Sequence, residues 1–270
     1  MEFRKLGALE VSTIGLGTLN TFNVTSGEDI AVRRRIVDCC LSEGINFIDS
    51  AAAYGDSEMV VGKAVRGRRD KFYLATKVRV QGKEAGEAQI AQSFRSFQTD
   101  YIDLIQVHNM IDYRTHLPTL HALKSVGKIG MVGVTAMVTE AYPEIMALMR
   151  EGSVDAVQIP YNVVQVEVAD ELLPLAEELG IGILTMEPLK KGRYVKDLKQ
   201  QPDLRPLEGT GVKTWGQALL AWVISDHRVT LTIPATSRPE RVAENAAAGS
   251  LPRLSDEMRD YIRTETNRCL

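Results

Sequence analysis

A buried β-strand followed by an amphipathic helix is predicted by residues 102–134, which read IDLIQVHNMIDYRTHLPTLHALKSVGKIGMVGV. Residues 102–107 form a short apolar run, a stretch with helical periodicity follows, and Gly127 lies where a left-handed helix cap is expected. The next apolar run comes at residues 131–134. Apolar runs that alternate with helices are typical of a parallel sheet buried on both faces.

The same unit recurs along the chain. Strands are predicted at residues 13–16, 46–49, 72–77, 102–107, 131–134, 156–159, 182–185 and 230–233. Helix starts are predicted at Ser57, Thr139 and Asp170, and helix ends at Gly44, Gly127, Gly152 and Gly180. Most units span roughly 25 to 30 residues, the size of one βα unit with its loops. About eight units in a chain of this length predict an α/β fold, a TIM (β/α)8 barrel, rather than an open sheet.

Three segments fall outside this repeat. Residues 3–12 predict a β-hairpin that closes the N-terminal end of the barrel, and Ser255 begins a predicted extra C-terminal helix that runs to residue 266. Residues 190–213 predict a long loop, mobile or ordered by a ligand. With no linker in the pattern, we expect one domain over residues 1–270, and the little chain left over predicts an open substrate mouth.

The composition excludes several classes of protein. Hydrophobic residues make up 44% and charged residues 25% of the 270 residues, which excludes disorder and fibrous repeats. A net charge of -3 and 6% aromatic residues argue against nucleic-acid and membrane partners, so a small-molecule partner is predicted. No metal is expected, because the four histidines form no His-x-His pair. Three cysteines without a C-x-x-C pair, and no apolar leader, predict a cytoplasmic protein with reduced thiols.

Ionisable side chains follow three successive predicted strands. Asp49, Lys77 and His108 stand at the strand ends, and Tyr54 lies in the loop after Asp49. Because active sites of this fold lie at the carboxyl ends of the strands, these four are expected to converge. The Lys77 ammonium would lower the pKa of the Tyr54 phenol and make it a general acid, while Asp49 keeps Lys77 charged. His108 could donate a hydrogen bond to a substrate carbonyl oxygen.

Several ordered motifs resemble those of the aldo-keto reductase family. They are GLGT at residues 15–18, DSAAAYGDSE at 49–58, ATK at 75–77, DYIDLIQVH at 100–108, QIPYN at 158–162, IP at 233–234 and PERVAEN at 239–245. The resemblance covers nearly the whole chain. It implies a TIM-barrel oxidoreductase that reduces an aldehyde or ketone with a nicotinamide cofactor, usually NADPH. By similarity, the catalytic residues are Asp49, Tyr54, Lys77 and His108, with Tyr54 as the proton donor.

The resemblance also implies a cofactor site. Gln158 resembles the residue that holds the carboxamide, and Arg241, Glu244 and Asn245 resemble the contacts to the adenosine phosphate and adenine. The other predicted cofactor-binding residues are Gly17, Thr18, Asp49, Thr135, Met186, Pro188, Leu189, Thr236 and Arg238. An anion at the start of a helix is favourable on independent grounds, because free N–H groups point at it.

Four positions depart from the family pattern. Thr135-Ala136 replaces the usual Ser-Asn pair, Met186 replaces an aromatic residue that stacks on the nicotinamide, and Ala235 replaces a lysine. Arg238 and Arg241 remain as ligands for the 2'-phosphate, because guanidinium groups suit phosphate. NADPH is therefore the predicted cofactor, and NAD use stays open.

The substrate pocket is expected in the loops over the mouth, at residues 18–28, 109–115 and 190–213. Its predicted residues are Asn20, Phe22, Tyr54, His108, Met110, Tyr113 and Tyr194. Glu58 is expected either to brace the loop after Tyr54 or to close over the cofactor. Two alternative functions stay open. One is a nicotinamide-binding regulatory, redox-sensing subunit resembling channel β-subunits, against which the lack of a long N-terminal extension weighs. The other is a sugar or polyol dehydrogenase working in the oxidative direction.

Overall fold

Eight parallel strands form the central sheet of the protein. The structure, a computed structural model, describes all 270 residues. The strands are β1 (Phe3–Leu6), β2 (Leu9–Ser12), β3 (Leu16–Gly17), β4 (Phe47–Asp49), β5 (Tyr73–Val78), β6 (Ile102–Val107), β7 (Ile129–Thr135), β8 (Ala156–Pro160), β9 (Gly182–Met186) and β10 (Leu231–Thr232). Strands β3 to β10 pair in chain order, and bridges from Ile14 to Thr232 and from Gly17 to Ala235 join the two edges. The sheet therefore closes on itself as a (β/α)8 fold requires, and we call it the barrel.

A helix follows each strand of the barrel. The helices are α1 (Gly27–Ser42), α2 (Ser57–Ala64), α3 (Lys83–Phe97), α4 (Tyr113–Ser125), α5 (Tyr142–Arg150), α6 (Leu172–Leu179), α7 (Arg193–Lys196), α8 (Trp215–Ile224), α9 (Glu240–Ala248) and α10 (Asp256–Cys269). Helices and strands run in opposite directions, so helices begin at the end where the strands finish. We call that end the mouth. No helix combines the length and apolar character needed to cross a membrane.

The interior of the barrel is apolar at one end and polar at the other. Its apolar cluster includes Leu104 and Leu231 of the strands together with Leu6 and Val11 of the β1–β2 hairpin. A Cβ added to Gly182 would lie 2.0 Å from Leu6 Cδ1, so the hairpin occupies space that this glycine leaves at the start of β9. The hairpin thus plugs the end opposite the mouth, as predicted.

The first barrel strand was predicted at residues 13–16, but its ladder with β4 begins only at Leu16. The preceding residues turn toward β10 instead, where the Gly15 N–H donates to Thr232 O at 2.8 Å. A Cβ at Gly17 would lie 2.6 Å from Ile233 O, so glycine permits this close approach. The other seven predicted strands are confirmed to within two residues at each end.

The predicted helix boundaries agree in part. Ser255 caps α10, and its side chain accepts from the Met258 N–H. The prediction at Ser57 was wrong by one residue, because this serine is already the first residue of α2. The prediction at Thr139 was wrong because Thr139–Ala141 forms a 3-10 turn before α5. The prediction at Asp170 was wrong because Glu171 directly precedes α6, and its side chain makes no capping hydrogen bond. The four predicted terminal glycines all have positive φ.

Residues 190–213 form a long connection with short helical turns. They contain α7 and two 3-10 turns, at Lys190–Gly192 and Arg205–Leu207. Helix α10 fixes the segment, because the Tyr261 hydroxyl donates to Asp203 O at 2.6 Å and Glu265 accepts from the Asp203 N–H. The prediction of a long loop is confirmed in part, since most of residues 197–213 lie outside helices and strands, and contacts with α10, remote in sequence, hold the segment.

Candidate active site

A buried ion pair joins the ends of β4 and β5. Lys77 Nζ donates to Asp49 Oδ2 at 2.6 Å and to Ser50 O at 2.7 Å. Lys77 is 1% exposed and Asp49 is 2% exposed, so both charges lie inside the barrel below the mouth. A buried ammonium of this kind requires a charged partner and further hydrogen bonds, and this one has both.

Tyr54 and His108 lie above this pair. Lys77 Nζ is 5.3 Å from the centre of the Tyr54 ring. The rings of Tyr54 and His108 meet edge to face, with centres 5.8 Å apart and an interplanar angle of 81°. The structure therefore brings the four predicted catalytic side chains into one small volume.

The surroundings decide the protonation of each group. Burial favours the neutral amine of Lys77, but the interactions with Asp49 and Tyr54 together outweigh it and raise the pKa of Lys77. Burial, together with the positive charges of Lys77 and Arg79, lowers the pKa of His108 to about 3. The imidazole is therefore neutral at physiological pH.

The predicted direction of the Tyr54 pKa shift was wrong. Burial raises the pKa of Tyr54, and the Lys77 ammonium opposes that rise without cancelling it. The sequence indicated the neighbouring charge but not how far the phenol is removed from water. Tyr54 therefore holds its proton at neutral pH.

Two glutamines complete a polar layer inside the barrel. Gln106 Nε2 donates to Asp49 Oδ1, and Gln158 Nε2 donates to Asp49 Oδ2, each at 3.4 Å. The Gln106 side chain lies over Gly133, where a Cβ would come within 3.0 Å of Gln106 Cγ. The Oε1 atoms of both glutamines are buried and have no hydrogen-bond partner.

A second set of contacts holds the loop that carries Tyr54. Ser50 and Ser57 share a hydrogen bond of 3.0 Å between their hydroxyl groups. Glu58 is buried and accepts from the Thr76 hydroxyl on β5. Of the two roles expected for Glu58, this contact fits the brace, because the carboxylate binds the barrel wall.

Comparison with known proteins gives a consistent result. The family model for the aldo/keto reductase family matches residues 13–265. The chain belongs to the aldo/keto reductase family. An aldo-keto reductase of Strobilurus tenacellus is 28% identical to this chain, over 94% of the chain and 89% of the relative. An NADH-specific methylglyoxal reductase of Escherichia coli is 24% identical, over 92% of each protein. The crystal structure of an aldo-keto reductase from Klebsiella pneumoniae in complex with NADPH matches with a TM-score of 0.82 and 28% identity, over 95% of this chain and 92% of that chain.

In this aldo/keto reductase, the predicted cofactor residues nearest the catalytic group lie around the mouth. The Thr18 hydroxyl donates to Asp49 O at 2.9 Å, which joins the β3 loop to β4. The Thr135 hydroxyl accepts from the Asn109 N–H at 2.9 Å, so the neighbouring loop already uses it. Met186 is half-buried and packs on the apolar cluster inside the barrel.

The other predicted cofactor residues lie on the loops and helix after β9 and β10. Pro188 is buried, Leu189 is half-buried, and the Thr236 hydroxyl accepts from the Arg238 N–H at 3.1 Å. Glu244 binds Arg241 and accepts from the Thr214 hydroxyl at 2.9 Å. Asn245 is half-buried. The Arg238 side chain is 53% exposed, and its one carboxylate neighbour, Glu240, is 3.8 Å away.

The predicted substrate residues separate into two groups. Asn20 and Met110 have positive φ in loops at the mouth. Tyr113 is the first residue of α4, and its hydroxyl donates to Glu144 of α5. Phe22 is fully buried in the main core. Tyr194 is 6% exposed and packs in the same core. Their place in the substrate pocket stays a prediction, because a position in a mouth loop does not fix the direction of the side chain.

Backbone strain in this aldo/keto reductase is concentrated at the mouth. Gln98, at the end of α3, is the one non-glycine residue with positive φ outside the loops after β3, β6 and β9. The residues within those loops are Asn20, Asn109, Met110, Asp112, Glu187, Lys190 and Lys191. Residues in this conformation cost free energy and persist where surrounding contacts over-determine them.

Two residues of the site were not predicted. Gln106 lies two residues before His108, and Arg79 lies two residues after Lys77. Side chains two apart on a strand share a face, and this spacing, carried one residue beyond the ends of β5 and β6, could have indicated both.

Proposed function

We propose that this aldo/keto reductase reduces an aldehyde or ketone to an alcohol with NADPH, and that Tyr54 donates the proton. The carrying observation is the buried Lys77–Asp49 ion pair beneath the rings of Tyr54 and His108. We also propose that residues 1–270 act as one domain, in the cytoplasm, on small carbonyl compounds. The free thiols of Cys39, Cys40 and Cys269 support that compartment.

The residues present fit a nicotinamide dinucleotide. Gln158 has a buried Oε1 without a partner, which suits the amide donor of a carboxamide. Arg238 and Arg241 would hold the phosphate of the adenosine half, beside the start of α9. When bound, the nicotinamide supplies the hydride that reduces the carbonyl carbon.

In this proposal, Tyr54 donates the proton and Lys77 stabilises the phenolate that remains. The protonated phenol of Tyr54 gives its proton to the carbonyl oxygen as negative charge develops there. The Lys77 ammonium, 5.3 Å from the ring centre, then stabilises the phenolate. Asp49 keeps Lys77 charged and fixes its position, so the ion pair acts on Tyr54 rather than on substrate.

His108 supplies a hydrogen bond to the same oxygen. A neutral imidazole carries one proton, and Nδ1 is buried without a partner. A proton on Nε2 leaves no buried N–H unpaired and provides a donor for the substrate oxygen. The donor strengthens its hydrogen bond as charge accumulates in the transition state.

The preference for NADPH over NADH rests on Arg238 and Arg241. The Escherichia coli relative is named as NADH-specific, and the Klebsiella pneumoniae relative was solved with NADPH, so the family contains both choices. A guanidinium with more than half its surface exposed, such as that of Arg238, is free to bind a 2'-phosphate. The ratio of kcat/KM for the two cofactors measures the preference.

The Tyr54→Phe variant tests the mechanism. It removes the proton donor and keeps the ring, so kcat should fall by about 10²- to 10⁴-fold, the usual contribution of general acid catalysis. The loss of NADPH absorbance with a reactive aldehyde measures the rate. Tyr101→Phe is the matched control, because Tyr101 precedes β6 at the end opposite the mouth and should keep the parent rate. Undiminished turnover by Tyr54→Phe would exclude the mechanism.

A further inference from the structure

Arg79 is the first residue after β5, at the mouth of the barrel. Lys77 points into the barrel, and Val78 is buried in the main core outside it. The alternation of β5, carried one residue past its end at Val78, directs Arg79 to the side of Lys77, above the ion pair. Its neighbours along the sheet are β4, which leads to Tyr54, and β6, which leads to His108.

The backbone around Arg79 is held firmly. The Arg79 N–H donates to Gln89 on α3 at 2.6 Å, and the Gly82 N–H donates to Asp112 at 2.7 Å. His116 bonds Val80 O through its Nε2 atom at 2.6 Å. Three contacts over four residues thus fix the loop that presents this side chain.

The guanidinium of Arg79 has no carboxylate partner, unlike most other cations around the mouth. It is exposed and forms no ion pair or side-chain hydrogen bond. Lys190 and Lys191 pair with Glu187, Arg114 pairs with Glu144, and Arg33 pairs with Asp29. The Asp112 carboxylate accepts hydrogen bonds from the Gly82 N–H and the Thr115 hydroxyl.

The charge of Arg79 reaches the catalytic groups. Burial raises the pKa of Tyr54 and lowers that of His108, and in both cases the positive charge of Arg79 contributes a lowering effect. A substrate whose carbonyl oxygen lies against Tyr54 and His108 would therefore extend within the field of this guanidinium. Arg79 is also across the barrel from β9 and β10, which lead to the proposed phosphate ligands, so its charge is left for the substrate.

We infer that Arg79 binds a carboxylate of the substrate, and that the preferred substrates are aldehydes or ketones carrying a carboxylate group. The inference rests on the proposed reductase function and names its substrate class. A planar guanidinium pairs with a carboxylate through two parallel hydrogen bonds. A single unpaired cation matches a monoanion, whereas the mouth offers no second free cation beside it for a phosphate ester.

The test compares 4-formylbenzoate with its methyl ester, which keep the same ring and aldehyde and differ by one charge. The parent enzyme should reduce the acid with a kcat/KM at least tenfold higher than that for the ester. Arg79→Gln should lower kcat/KM for the acid about tenfold to hundredfold, mainly through KM, since a hydrogen-bonded charge pair is lost. The same variant should lower kcat/KM for the ester less than for the acid, so that the ratio of the two constants falls about tenfold or more.

Arg66→Gln is the matched control, because it removes one exposed arginine after α2, at the end opposite the mouth. It should leave both substrates unchanged. Arg79→Lys should retain part of the preference for the acid, since it keeps the positive charge but loses the two parallel N–H donors of the guanidinium. The preference should also weaken at high salt, because Arg79 is exposed.

Binding of 4-formylbenzoate to the enzyme with NADP+, measured by calorimetry, gives a second readout, and Arg79→Gln should weaken it about tenfold or more. Equal kcat/KM for acid and ester in the parent, or an equal loss for both in Arg79→Gln, overturns the inference and leaves the reductase function intact. Failure to reduce any aldehyde with NADPH or NADH overturns the proposed function instead.

Discussion

The carboxylate of Asp49 receives donors from three side chains. Lys77 and Gln158 donate to Oδ2, and Gln106 donates to Oδ1. A buried carboxylate with one partner alone would leave lone pairs unsatisfied, and the amides reduce that cost. Gln106 is fully buried beneath the ion pair, so it acts as a positioning residue, holding Asp49 and through it Lys77.

Gln106→Leu is expected to lower kcat about three- to tenfold with little change in KM, because one long hydrogen bond to a charged group is lost. Steady-state kinetics with a saturating aldehyde give both constants. The pH profile of kcat separates positioning from a general loss of stability, since a displaced Lys77 shifts the alkaline limb set by Tyr54. Gln92→Leu, on the exposed face of α3, is the control. A profile and a kcat unchanged in Gln106→Leu would contradict the role.

Single residues were predictable to different degrees. Asp49, Tyr54, Lys77 and His108 follow from strand ends and motifs, because chemistry at the mouth requires those types there. The protonation of Tyr54 was not predictable, because it depends on burial by segments remote in sequence.

At the scale of elements, α10 is tied to the barrel by a polar cluster. The Tyr161 hydroxyl donates to Asp226 Oδ2 at 2.9 Å and accepts from Arg259 of α10 at 3.0 Å. The Arg228 side chain donates two hydrogen bonds to the same carboxylate. The Arg259 guanidinium lies 4.6 Å from the centre of the Trp222 ring. The Ser255 cap predicted α10 itself, but only the three-dimensional arrangement shows what holds it in place.

Asp226→Asn should destabilise the protein by about 2 kcal/mol at neutral pH. Burial acts to raise the pKa of Asp226, but the hydrogen bonds and charge of Arg228, with the hydrogen bond from Tyr161, together lower the pKa from 3.8 to about 2. A depressed folded-state pKa adds stability above pH 3.8, and that stability is lost as pH falls from there toward about 2.

Urea unfolding of the parent and of Asp226→Asn at several pH values measures this difference. The difference in free energy of unfolding between the parent and Asp226→Asn should narrow as the pH falls from 3.8 toward about 2. Asp170→Asn, at an exposed position before α6, should cost almost nothing at any pH. A constant gap would mean that Asp226 stabilises by shape rather than by charge.

At the scale of the whole molecule, the two ends of the barrel have separate tasks. The hairpin and apolar interior close one end, and the polar layer and strained loops form the other. The alternation of strands and helices in the sequence predicted this division of the barrel into two ends. Eight such units form a barrel, and the carboxyl ends of its strands define the mouth. The seam between β3 and β10 was less predictable, since it joins residues more than two hundred positions apart through short bridges at Ile14 and Gly17.

Cofactor binding is expected to stabilise the whole barrel. NADP+ at about a hundred times its Kd should add about 2.7 kcal/mol to the free energy of unfolding. The thermal midpoint should then rise by about 5 °C, and by less with NAD+ at the same concentration. Arg238→Gln should remove the difference between the cofactors in thermal unfolding, while Arg34→Gln, on an exposed face of α1, should keep it. An equal rise with both cofactors in the parent would exclude a role for Arg238 in cofactor choice.

The plug has a consequence for how the chain folds during its synthesis. The hairpin precedes every barrel strand, yet Leu6 packs against Gly182 at the start of β9. The hairpin therefore leaves the ribosome before the barrel and has no finished docking surface until most of the barrel has emerged. Leu6 and Val11 must remain uncovered, or held by a chaperone, through much of translation. Slowing the ribosome before β9 would prolong that exposure, whereas a pause after β10 would not.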